Sequence, residues 1–96
     1  MIDTGLPEVK NKEDFRHWCQ AMEIDTKQAA CLLGISVSNI YKYLDVSDPA
    51  PIRGMVLMTC ELINQLADEK REQWVKAQLK LNNCTSPWPA KRPITA

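Results

Sequence analysis

Apolar residues return at three- and four-residue intervals along most of this chain, and no segment alternates convincingly as a strand would. Phe15, Trp18, Cys19 and Met22 form one stripe, which predicts a helix from about Lys12 to Met22. Asn11 is placed to cap it, with Glu13 and Asp14 in the positive first turn. A second helix is predicted over Asp25–Leu33, opened by a capping box of Asp25 with Gln28 and closed by Gly34. Ser36 caps a third, Val37–Leu44, with Ile40, Tyr43 and Leu44 on its inner side.

Asp45–Pro51 interrupts the helical run with two prolines. A fourth helix is expected to begin near Pro51, with Val56, Thr59, Ile63 and Leu66 on one face. Lys70–Leu81 also reads as helix, with Trp74, Val75, Leu79 and Leu81 on a rough apolar side and Glu72 paired to Lys76. The pattern leaves open whether it continues the fourth helix. The expected organisation is an all-α fold of four or five helices. A flexible terminus occupies 1–10, a helix-turn-helix domain 11–68, a dimerising helical extension 69–82, and an extended proline-rich tail 83–96.

Ninety-six residues suit a single small domain, and a 45% hydrophobic content suffices for a core. The net charge is zero, which counts mildly against nucleic acid as a partner. The charge is uneven, however: residues 1–50 hold eight acids and five bases, and residues 51–96 four acids and seven bases. The four cysteines lie at 19, 31, 60 and 84 without a C-x-x-C pair, which fits buried free thiols in a reducing cytosol. The opening MIDTGLPEVK has neither a basic start nor an apolar core, and no run approaches membrane-spanning length. A cytoplasmic protein without a membrane partner is expected.

The stretch DTKQAACLLGISVSNIYKYL carries the chemistry. Two helices that cross closely need a small residue at the crossing, a turn residue that tolerates positive φ, and an aliphatic pin on the second helix. Ala30, Gly34 and Ile40 supply these at spacings of four and six. Val37, Ser38, Tyr41 and Lys42 are then left outward, where a major groove can receive them. Thr26, Lys27 and the free amides beginning the second helix suit a phosphate, as does Arg53. The alternative is that these short helices are plain bundle core.

TKQAACLLGISVSNIYKYL resembles the helix-turn-helix of the Cro-like family of phage and bacterial repressors. The following APIRGMVLMTCELINQLADE is similar to the anti-CRISPR-associated regulators of phages, and the likeness spans Phe15 to Asp68. The resemblance implies a homodimer that binds an inverted repeat of double-stranded DNA in its own operon and represses it. It carries Ser36, Val37, Ser38, Tyr41 and Lys42 over as groove residues. Many Cro-like repressors have glutamine where this chain has Thr26, so that phosphate contact is shorter here. Ile63, Leu66, Trp74, Val75 and Leu79 are the candidate dimer interface, the alternative being that they cover their own core.

Nothing in the sequence suggests an enzyme. His17 and Cys19 lack a second ligand pair with zinc-type spacing, and no third group orients a base for cysteine chemistry. With three glycines in all, no phosphate loop is present. No cofactor, metal or small-molecule substrate is expected. In the tail, Lys91 and Arg92 suit a minor-groove arm and Trp88 a partner subunit, against a plainly solvated end. A protein-interaction module is the competing reading, and a subunit of a phage packaging or recombination machine a third.

Overall fold

The computed structural model describes residues 6–84 and 87–90. Over them the fold is all-α, with five helices: α1 (Lys12–Ala21), α2 (Thr26–Leu33), α3 (Val37–Leu44), α4 (Gly54–Asn64) and α5 (Asp68–Leu81).

The first three helices begin and end on local chemistry. Asn11 accepts from the Asp14 amide, Asp25 and Gln28 form the reciprocal capping box, and Ser36 accepts from the Asn39 amide. Gly34 closes α2 in the left-handed region at φ 68°, and the Gly34 and Ile35 amides both donate to the Ala30 carbonyl. The end of α1 uses the same device without a glycine. Glu23 sits at φ 57°, and the Glu23 and Ile24 amides reach back to Gln20 and Cys19.

Phe15 and Trp18 stack at 6.3 Å, and Phe15 meets Tyr43 edge-on at the same centroid distance. Around them close Ile24, Ala29, Ile40, Val56, Cys60, Ile63, Val75 and Leu79. α2 packs on α3, α1 on α3, and α5 on α2. The segment 69–82 is therefore a wall of the core rather than an extension, because Val75 and Leu79 fill the same cluster as Phe15 and Trp18.

Three local expectations are corrected and one open alternative is resolved. α4 begins at Gly54, not near Pro51; Val56 and Leu57 donate to the Arg53 carbonyl, and the prolines lie in the preceding loop. Its inward face is Val56, Cys60 and Ile63, so Thr59 turns away from the core. α5 is a separate helix. The break at 65–67 has neither glycine nor proline and is held by Arg71, which is nearly buried. Arg71 Nε donates to the Ile63 carbonyl at 3.3 Å, Nη2 to Leu66 at 2.9 Å, and Nη1 to the Asp68 carboxylate at 3.1 Å. One guanidinium thus supplies a donor to the Leu66 carbonyl and adds to the Leu66 amide already on the Ile63 carbonyl. Leu81, expected on the apolar side of α5, is exposed; the expected Glu72–Lys76 pair forms at 3.0 Å.

Both flanks are also docked where they are described. Val9 is buried, Leu6 packs on the core, and the Pro7 carbonyl accepts from Asn64 Nδ2 at 3.0 Å, whose Oδ1 accepts from Trp18 Nε1 at 2.6 Å. Residues 6–10 are therefore tied to the domain. At the other end Gln28 Nε2 donates to the Pro87 carbonyl, Trp88 Nε1 to the Met22 carbonyl, and the Ala90 amide to the Glu23 carbonyl. Trp88 packs on its own subunit, with its indole held against the α1–α2 junction. Lys91 and Arg92 lie outside the described residues.

Replacing Arg71 by Met keeps the apolar stem and removes every donor. The Leu66 carbonyl then loses its guanidinium donor and the Ile63 carbonyl keeps only main-chain donors, and unfolding in urea, followed by the fluorescence of buried Trp18, should show a loss of about 2 kcal/mol. Lys76→Met, which breaks only an exposed pair on the same helix, should stay within about 0.5 kcal/mol of wild type.

Candidate nucleic-acid interface

α3 is held from three sides. Ile40 and Tyr43 are buried and Leu44 packs on the core, which fixes the rotation of the helix about its axis. Ser36 caps its start at 3.2 Å from the Asn39 amide. Its end is held by α1. Lys12 Nζ donates to the carbonyls of Lys42 at 2.8 Å, Asp45 at 3.0 Å and Asp48 at 2.6 Å, and lies 3.9 Å from the Asp48 carboxylate. Arg16 Nη2 adds a bond to the Leu44 carbonyl at 3.2 Å. Two cations thus meet the negative end of α3, where free carbonyls concentrate. Neither residue was singled out from sequence, since a cap supplied from more than 25 residues away leaves no local signal.

With those three constraints the outer face of α3 is determined. Val37, Ser38, Tyr41 and Lys42 are exposed and share one side, as positions i, i+1, i+4 and i+5 must. This face offers a hydroxyl that donates and accepts, a phenol ring, an ammonium and a branched aliphatic. Ser36 is exposed, but its oxygen is already the cap acceptor, so it serves first to start the helix. Thr26 and Lys27 sit in the first turn of α2, Thr26 half-buried and Lys27 exposed. Arg53 is exposed at the cap of α4, beyond the 45–53 loop.

The loop after α3 is internally bonded. The Asp45 carboxylate accepts from the Ser47 hydroxyl at 2.6 Å and the Ser47 amide at 3.0 Å, and Asp48 accepts from the Ala50 amide at 2.8 Å. The Ser47 hydroxyl, then its amide, hold the Asp45 carboxyl below its ordinary value. Asp45 therefore stays charged beside the end of α3.

Of the five residues expected at a dimer interface, Ile63, Leu66 and Trp74 line one open groove, and Val75 and Leu79 do not. Ile63 is 2% exposed, Val75 is fully buried and Leu79 is buried, so all three are core residues of one subunit and have almost no surface to offer a second. Leu66 and Trp74 remain half-buried and line an open groove of about 440 Å³ with Ile63 at its floor and Thr59, Leu62 and Gln65 beside them. The apolar residues that sequence reasoning missed lie on the outer side of α4: Met55, Met58 and Leu62 are 80%, 62% and 61% exposed. Their spacing, i, i+3 and i+7, is itself a helical stripe and was legible in the sequence. α4 is thus apolar on both sides, and the Thr59 hydroxyl between them is satisfied by the Met55 carbonyl at 2.8 Å.

No family model, curated protein or solved structure matches this chain.

Lys12→Met removes three main-chain bonds while keeping the alkyl stem. It should cost about 2 kcal/mol in denaturant unfolding and speed amide exchange over 37–44. Lys10→Met, which loses only an exposed 3.6 Å pair with Glu8, should leave both unchanged.

Proposed function

We propose that this protein is a sequence-specific DNA-binding regulator, acting in the cytoplasm as a homodimer that represses its own phage operon through an inverted repeat. The observation that carries the reading is the outer face of α3: exposed, polar, and fixed in rotation and at both ends by contacts that leave it free. A rigid helix presenting Ser38, Tyr41 and Lys42 suits base edges in a major groove, where preorganisation spares the cost of ordering side chains and backbone on binding. Thr26, Lys27 and Arg53 are the proposed phosphate contacts, and Val37 meets a thymine methyl.

The neutral charge makes a single half-site weak, since few phosphates are neutralised. Two half-sites about 34–36 Å apart add their terms, which supports a symmetric dimer. The α4 stripe of Met55, Met58 and Leu62, continued by Leu66 and Trp74, is the face proposed to meet its copy. A helix apolar on both sides is expected to bury both. A second reading, a protein-interaction module, is favoured by that same stripe. It differs in requiring no retention of DNA even at low salt.

Gel shift against duplexes selected from random sequence tests the groove. Tyr41→Ala and Lys42→Ala should each weaken specific binding by about tenfold or more without loss of helix content. Unchanged binding removes α3 from the interface. Light scattering tests the stripe. Leu62→Lys should halve the mass in solution, and unaltered mass assigns the contact elsewhere.

A further inference from the structure

The two half-buried cysteines lie on segments that run side by side. Asn82 Nδ2 donates to the Cys31 carbonyl at 3.2 Å, and Gln28 Nε2 donates to the Pro87 carbonyl at 2.6 Å. The chain after α5 therefore passes α2 antiparallel, and Cys84 falls between those two bonds. Its position is set by the turn that ends α5. Asn83 takes φ 54°, its amide donates to Lys80 at 3.2 Å, and the Cys84 amide donates to Leu79 at 2.8 Å. Both cysteines pack on the same core while keeping partial exposure, and both are free thiols. Cys84 lies two residues past the Asn82 side chain that holds the Cys31 carbonyl, on the same side of the core.

We propose that Cys31 and Cys84 are a disulfide-forming pair, closed by a two-electron oxidant such as hydrogen peroxide, which locks the C-terminal segment onto α2. Burial pushes the Cys31 thiol up to about 11, which disfavours it as the first nucleophile toward the oxidant. The Cys84 sulfur attacks peroxide, breaks the O–O bond and becomes a sulfenic acid with loss of one water. Cys31 then attacks that sulfur, gives up its proton, and releases a second water as the S–S bond forms. Two thiols are oxidised by two electrons and one peroxide is reduced to two waters. Cys19 and Cys60 do not compete: both are buried, and burial pushes both thiols up, so they remain thiols out of reach of the oxidant.

The closed bond joins the two ends of a loop that spans α3, α4 and α5, which restricts the unfolded chain strongly and leaves the outer face of α3 untouched. The full-length protein, reduced and then treated with equimolar hydrogen peroxide, should lose two hydrogens in mass. It should yield a peptide joining residues 31 and 84, and melt about 10 °C higher. Dithiothreitol should reverse all three changes, and Cys31→Ser and Cys84→Ser should each abolish them. The joined peptide in the wild-type chain decides the matter whether or not the serine variants fold. A disulfide between two chains, over-oxidised Cys84, unreacted thiols, or a joined peptide with no gain in melting temperature each overturns the proposal.

Discussion

A single ammonium sets the pose of the helix on which the functional reading depends. Lys12 Nζ gathers the carbonyls of Lys42, Asp45 and Asp48, which are the last turn of α3 and the loop beyond it. An eight-residue helix is too short to persist by its own hydrogen bonds. It exists here because packing fixes one side and a cation satisfies its end. The same contact turns one of the chain's twelve bases toward main-chain carbonyls and away from the outer face of α3.

The rest of the domain uses the same construction. A chain of this size buries a modest core, and the secondary elements are joined by side chains that reach main-chain groups far away in sequence. Arg71 closes α4, Asn64 holds the segment before α1, Gln28 and Trp88 hold the segment after α5, and Asn82 ties the end of α5 to α2. No buried side-chain nitrogen or oxygen among the described residues lacks a partner. Such bonds are directional, so they specify one packing where an apolar core alone would tolerate several.

What was legible in the sequence is what is local. The caps at Asn11, Asp25 and Ser36, the glycine at 34, and the inward positions Ile40 and Tyr43 all follow from spacing within a few residues. The outward face of α3 follows from them. What was not legible depends on distant groups. Residues 6–10 and 87–90 read as loose because their polarity gives no period, yet they are anchored by Asn64 and Gln28, nearly sixty residues away. Pro51 pointed to the wrong start for α4, since a proline suits a first turn but does not require one. Ile63, Val75 and Leu79 were ambiguous because an apolar position on a helix does not say whether its own subunit or another covers it; only the packing of α5 on α2 decides.

The central claim is that the outer face of α3 reads DNA. The most direct measurement is amide chemical-shift mapping of the full-length protein titrated with a duplex recovered from random sequence. The account predicts that the largest changes fall on Val37, Ser38, Tyr41 and Lys42, with smaller ones at Thr26 and Lys27. Changes confined to the Met55–Leu62 side of α4, or no duplex retained at low salt, would contradict it.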